Sequence, residues 1–126
     1  MDTENITVLI VDDDENITKT FARILQRKGF NTDTAQTGKE AIQKAHAKFY
    51  AVALIDICLS DLNGVELLDK LDDHGGKMVK IIITGFPTMA PEKGAHADAF
   101  LLKPVKPQEL LSIIDEKTKE KITVKK

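Results

Sequence analysis

The sequence predicts an α/β domain: a doubly wound, five-stranded parallel sheet with helices on both faces. Short apolar runs alternate with segments of 3.6-residue apolar period, the pattern of parallel strands joined by crossover helices. Several of the runs end in residues that carry chemistry. Val11 leads into Asp12-Asp13-Asp14, Ile55 into Asp56, Ile83 into Thr84 and Leu102 into Lys103. A chain of 126 residues is one domain with room for a full core.

The first strand is expected over about 7–11. A helix follows, with Ile17, Phe21, Ile24, Leu25 and Lys28 along one face and Gly29 as its C′ residue. The second strand, about 31–35, is polar and suits a sheet edge. Thr37-Gly38-Lys39-Glu40 has capping-box spacing and opens a helix with Ala41, Ile42, Ala45 and Phe49 facing inward. The third strand, 52–55, is apolar throughout and so central, covered on both faces. A loop over 56–63 leads to Gly64 and a helix carrying Val65, Leu67, Leu68 and Leu71, which Gly75-Gly76 breaks. The fourth strand is 79–84 and the fifth 99–102, closed by Lys103-Pro104. Pro107 starts a last helix with Leu110, Leu111, Ile113 and Ile114. Between Thr84 and Ala99 stand Pro87, Pro91, Gly85 and Gly94. A proline inside a helix costs roughly 3 kcal/mol, so that crossover is expected to be irregular. The domain occupies 1–126, with its core over about 5–116 and a charged tail, 117–126, that extends the last helix or begins a linker.

Composition narrows the function. Twenty acids against 18 bases leave a net charge of −2, which indicates no nucleic-acid or anionic-membrane surface. A single cysteine excludes an internal disulfide, and no apolar run reaches spanning length. The polar, acidic start, Met1-Asp2-Thr3-Glu4-Asn5, lacks signal-peptide character, so a cytoplasmic location is expected. With no Trp and few aromatics, a stacking platform for single-stranded nucleic acid is not expected. His46, His74 and His96 lack ligand spacing with one another or with Cys58, which argues against zinc.

Parallel strands in an open sheet bring their carboxyl ends to one edge, where ligands bind. Asp12, Asp13, Asp56, Thr84 and Lys103 all fall there. Two carboxylates about 5 Å apart repel by roughly 3 kcal/mol at an effective dielectric near 20, so converging acids raise a pKa or hold a cation. Mg²⁺ suits them, since it takes carboxylate and phosphate oxygens and keeps several waters; Mn²⁺ could substitute. Asp13 and Asp56 are the leading ligands, with Asp12 beside them, while Asp14 serves the N-terminus of the first helix. Taken singly, each feature has an ordinary reading. The acid run is a solvated cap, Thr84 a β-branched strand residue, Lys103 a surface lysine, Cys58 a small loop residue and Phe100 a core aromatic. Their joint placement on one edge favours a phosphoryl and cation site.

Three stretches, VLIVDDDENI, ALIDICLSDLNGVELL and IIITG…AFLLKPV, make the chain resemble a response-regulator receiver domain of two-component signalling over nearly its whole length. The resemblance implies a flavodoxin-like, CheY-like sheet of order 2-1-3-4-5. It implies that Asp56 accepts a phosphoryl group from the phosphohistidine of a sensor histidine kinase or phosphotransfer protein. Asp12, Asp13 and Asp56 would hold Mg²⁺ with the backbone carbonyl of Cys58. Lys103 would contact the phosphoryl group or Asp56, Thr84 would move toward the phosphoryl oxygens, and Phe100 would be the rotating aromatic. The Lys103-Pro104 bond would be cis. The implied product is a switch, not an enzyme in its own right, that controls an unidentified output domain or effector, with a homodimer a further implication.

The chain departs from the family pattern in two places. The Thr84-to-Lys103 interval is a few residues short, which shortens or disrupts the family's fourth helix and its dimerisation face. Ser60 stands where the family often has proline, which should loosen the loop without removing a ligand. Two rivals use similar residues. A phosphatase resembling the haloacid-dehalogenase family would need a second acid two residues after its nucleophile, where this chain has Cys58. A receiver-like binding module without phosphorylation is the third reading: retention of Asp12, Asp13, Asp56, Thr84 and Lys103 together argues against it, and the irregular crossover between Thr84 and Ala99 keeps it open.

Overall fold

The computed structural model describes residues 6–85 and 97–123. Five strands, β1 (Thr7–Val11), β2 (Asn31–Ala35), β3 (Val52–Asp56), β4 (Val79–Thr84) and β5 (Ala99–Leu102), form one sheet in the order β2-β1-β3-β4-β5. Every pairing is parallel. Four helices are described: α1 (Glu15–Gln26), α2 (Gly38–Ala47), α3 (Gly64–Lys70) and α4 (Pro107–Thr123). The sheet and its order agree with the sequence reading. The crossover expected to be irregular falls largely on 86–96, outside the described residues, as do Pro87, Pro91, Gly94 and His96.

Strand alternation sorts the core into two layers. Val8, Ile10, Leu54, Ile81 and Ile83 face one side, where Phe21 and Leu25 of α1 and Leu110 and Ile114 of α4 cover them. Leu9, Val11, Ala53, Ile55 and Ile82 face the other, against Ala41 and Ala45 of α2 and Leu67 and Leu68 of α3. Burial of each large side chain contributes on the order of 1.5–3 kcal/mol. Strand β3 is buried along its whole length, as a central strand with both faces covered must be. Strand β2 is half-exposed at most positions and forms one edge.

The helix ends follow local chemistry. Asp14 caps α1, its Oδ1 accepting from the Asn16 N–H at 2.9 Å. At the other end Gly29 takes φ 92°, the Gly29 N–H donates to Gln26 O at 3.0 Å and the Phe30 N–H to Leu25 O at 3.1 Å. That is a Schellman ending, and it turns Phe30 into the core. Thr37 caps α2 by accepting from the Glu40 N–H at 3.0 Å. The Glu40 carboxylate does not complete a strict box; it accepts from the Gln36 N–H at 2.9 Å, one residue earlier.

Two expectations are corrected, and the charged tail follows the first of its two readings. Phe49 lies beyond the end of α2 and is 41% exposed, packed edge-on against His74, because the backbone turns extended at Lys48. Lys28 lies past the end of α1 and is exposed. Helix α4 continues through most of the charged tail, supported by Lys119–Asp115 and Lys117–Glu120 pairs and by Lys121 donating to Gly76 O at 3.0 Å.

Candidate functional site

Strand register builds the site. Val11 pairs with Ile55, so Asp12 and Asp56 leave the sheet side by side. Asp56 is itself the last residue of β3, opposite Ile83 of β4. Thr84 pairs with Leu102, which puts Lys103 next along the same edge. Backbone bonds extend the ladders past the strand ends: Asp12 N–H to Ala35 O at 3.1 Å, Ile57 N–H to Ile83 O at 3.1 Å and Lys103 N–H to Thr84 O at 2.8 Å. Asp12, Asp56, Thr84 and Lys103 are therefore anchored by the sheet's own hydrogen bonds, with Asp13 one residue beyond.

One carboxylate oxygen from each of Asp12, Asp13 and Asp56 lies within 4.8 Å of the other two. Asp12 and Asp56 are buried and Asp13 is exposed. Lys103 Nζ sits 3.4 Å from Asp12 Oδ2 and 3.7 Å from Asp56 Oδ2. Burial pushes the Asp12 carboxyl above its ordinary range and the neighbouring Asp56 adds to that. The Asp14 N–H, donating to Asp12 Oδ1 at 2.9 Å, and Lys103 oppose it. Three carboxylates thus face one ammonium, an excess of negative charge with hard oxygen donors at the exposed end. That donor set fits a hard divalent cation such as Mg²⁺.

The loop after β3 is closely tied to Asp56. The Cys58 N–H donates to Asp56 Oδ1 at 3.3 Å, and Cys58 and Asn63 form an isolated bridge across the loop's neck. Asn63 caps α3, accepting from the Val65 N–H at 2.7 Å. Gly64 passes so near the strand that a Cβ there would lie 2.5 Å from Asp56 O. The Cys58 side chain is exposed.

Thr84 is buried, while Phe100 is 43% exposed beside Leu102 on the edge strand β5. Phe100 is therefore not the ordinary core aromatic that sequence alone allowed. The Lys103-Pro104 bond is cis. Sequence reasoning missed Asp61, whose carboxylate accepts from the Gly38 and Lys39 N–H groups at 2.8 and 2.9 Å. Nothing local signals that contact, since it spans 23 and 22 residues.

Residues 8–115 match the family model described as the response regulator receiver domain. The chain belongs to that family. A CheY-like receiver domain protein from Methanospirillum hungatei is 36% identical, with a TM-score of 0.82 over 94% of this chain and 97% of that one. The response regulator protein TrrA from Thermotoga maritima, solved in complex with Mg(2+)-BeF, is 25% identical, with a TM-score of 0.80 over 88% of this chain and 97% of that one. Response regulator ArlR of Staphylococcus aureus is 28% identical over 109 residues, covering 85% of this chain and 50% of ArlR. This receiver domain thus spans about half the length of the curated relatives it matches. Receiver domains of two-component response regulators are signalling switches, and among the described residues no helix is long and apolar enough to cross a membrane.

Proposed function

We propose that this receiver domain accepts a phosphoryl group on Asp56 from the phosphohistidine of a sensor histidine kinase or phosphotransfer protein, and that the modification drives a conformational switch read by an output domain or effector. The observation that carries the proposal is the convergence of Asp12, Asp13 and Asp56 oxygens within 4.8 Å beside the Lys103 ammonium.

In the transfer an Asp56 carboxylate oxygen attacks phosphorus, the phosphorus–nitrogen bond breaks, and the imidazole leaves with the bonding pair. Such a step needs alignment and charge neutralisation more than covalent help. Asp56 is aligned by its place at the end of β3 and by the Cys58 N–H. Lys103, 3.7 Å away, neutralises charge on the incoming phosphoryl oxygens. Asp12, Asp13 and Asp56, with the Cys58 backbone carbonyl, would hold Mg²⁺ or Mn²⁺, which supplies further neutralisation when bound. The acyl phosphate adds acceptor oxygens, and the Thr84 hydroxyl turns to donate to one. Phe100, now outward, turns toward the space Thr84 leaves. A nearly complete switch needs about 5.5 kcal/mol of differential interaction, the order that several charge-assisted hydrogen bonds supply.

The test is incubation with acetyl phosphate and Mg²⁺, followed by intact mass. One labile phosphoryl is expected on the wild type and none on Asp56→Asn. Label persisting in Asp56→Asn overturns the assignment, turnover of generic phosphate esters favours the phosphatase, and an unmodified wild type leaves the binding module.

A further inference from the structure

We propose that Asp61 is a positioning residue for phosphoryl acceptance, holding the 57–63 loop by clasping the N-terminus of α2. The inference rests on the receiver reading above and adds a residue to its machinery. The backbone donors of α2 give the reason. The Ala41 N–H makes the first helical bond, to Thr37 O at 3.1 Å, and the Glu40 N–H goes to the Thr37 hydroxyl. The helix therefore already carries its own cap. The two donors that remain, on Gly38 and Lys39, go one to each oxygen of Asp61. Those bonds hold the Asp61 carboxyl below the usual carboxylate range, as expected for a negative charge at a helix N-terminus.

An apolar contact backs the polar one. A Cβ at residue 38 would lie 2.7 Å from Leu62 Cδ1 and 3.3 Å from Asp61 Oδ1, so the absence of a side chain at Gly38 lets the loop tip seat. The tip is thus fixed to α2, while the neck is closed by the Cys58–Asn63 bridge and by the Gly64 N–H donating to Ile57 O at 2.9 Å. Between them lies Ser60, where a proline would have stiffened the chain. The clasp supplies that stiffness by tertiary contact. The same loop carries the Cys58 N–H that bonds Asp56 and the Cys58 carbonyl assigned to the cation.

The experiment compares wild type, Asp61→Ala, Asp61→Asn and Asp73→Ala. Asp73 accepts a backbone N–H in another loop, from Gly76 at 3.1 Å, and also pairs with the Lys80 ammonium at 3.4 Å, so it serves as the control for loss of a turn bond together with an ion pair away from the site. Amide hydrogen exchange without metal should quicken over 57–63 in Asp61→Ala and not in Asp73→Ala. The Mg²⁺ dissociation constant by calorimetry should rise in Asp61→Ala, by up to about fivefold if the full stability cost of a lost capping acceptor falls on ordering the loop. Phosphoryl uptake from acetyl phosphate should fall by a similar factor at limiting Mg²⁺ and recover at saturation. Asp61→Asn, which keeps one acceptor oxygen, should fall between. Wild-type exchange and Mg²⁺ affinity in Asp61→Ala, or an equal shift in Asp73→Ala, overturn the proposal while leaving the receiver reading intact. A wild type that takes up neither Mg²⁺ nor phosphoryl overturns the receiver reading, and this proposal with it.

Discussion

Gly64→Ala tests how tightly the phosphoacceptor strand is held. The new Cβ would lie 2.5 Å from Asp56 O and 2.8 Å from Ile57 Cα. Both are backbone atoms, so neither can swing aside as the end of a flexible side chain can. Overpacking of this kind costs about 1–3 kcal/mol. The helix-propensity gain of Ala over Gly offsets at most about 1 kcal/mol, and less at the first position of a helix. A net loss of about 1–2 kcal/mol should lower Tm by roughly 4–8 °C. The larger effect falls on chemistry, because the atoms that must move carry Asp56. A displacement approaching 1 Å lowers phosphoryl uptake on the order of 10–100-fold. Gly75→Ala is the matched control: its φ of 82° strains any side chain, but nothing lies within 4 Å. It should cost about 1 kcal/mol and leave uptake unchanged. Thermal melts and timed intact-mass spectra read both quantities. Wild-type uptake in Gly64→Ala, or an equal loss in Gly75→Ala, would refute the reasoning.

Lys103→Met removes the cation 3.4 Å from Asp12 and 3.7 Å from Asp56. Mg²⁺ then loses its competitor and should bind about three- to tenfold tighter by calorimetry, while phosphoryl uptake drops at least about tenfold because the phosphoryl oxygens lose their lysine. Acid should act in two stages. The Asp12 carboxyl is raised by burial, so as pH falls it takes up a proton before Asp61 and Asp33, whose carboxyls are lowered; that protonation favours the metal-free fold and weakens Mg²⁺ binding. Asp61, Glu40 and Asp33 are lowered, by the Gly38 and Lys39 N–H groups, the Gln36 N–H and the Tyr50 hydroxyl respectively. Their stabilisation is complete above the ordinary carboxylate range and fades as pH drops through that range to the lowered values. Melts from pH 7 to pH 2.5 with and without Mg²⁺ should lose the metal's stabilisation before the bulk of the metal-free Tm; the reverse order would contradict the assignment. Tyr50→Phe breaks the 2.7 Å bond to Asp33 and should cost about 1 kcal/mol in urea unfolding without altering phosphoryl uptake.

The strands were legible because apolar, β-branched runs stop at residues that do not continue them. Val11 gives way to Asp12 and Leu102 to Lys103, and the observed ends fall there. Caps were legible because they are local, as with Asp14 and Thr37. Asp12, Asp13, Asp56, Thr84 and Lys103 share the edge that topology assigns them, since parallel order and register carry strand ends to one side. Contacts between distant segments were not legible. Asp61 reaches α2 across the loop, and Lys80, strand-internal and buried, donates to Leu68 O at 2.7 Å at the end of α3. A charged residue in a strand reads as exposed by its type alone; only the fold brings up the helix end and the Asp73 carboxylate, 3.4 Å away, as acceptors that let it stay inside. Phe49 was misplaced for the complementary reason: period marks a face but not where the helix stops.

The most direct measurement is phosphoryl uptake from acetyl phosphate as a function of Mg²⁺, with the modified residue mapped. The account predicts a single acyl phosphate on Asp56, uptake that rises with Mg²⁺ and vanishes in chelator, and a Mg²⁺ dependence shifted to higher concentration in Asp13→Asn. Uptake indifferent to chelator, or a label mapped to any other residue, would contradict it.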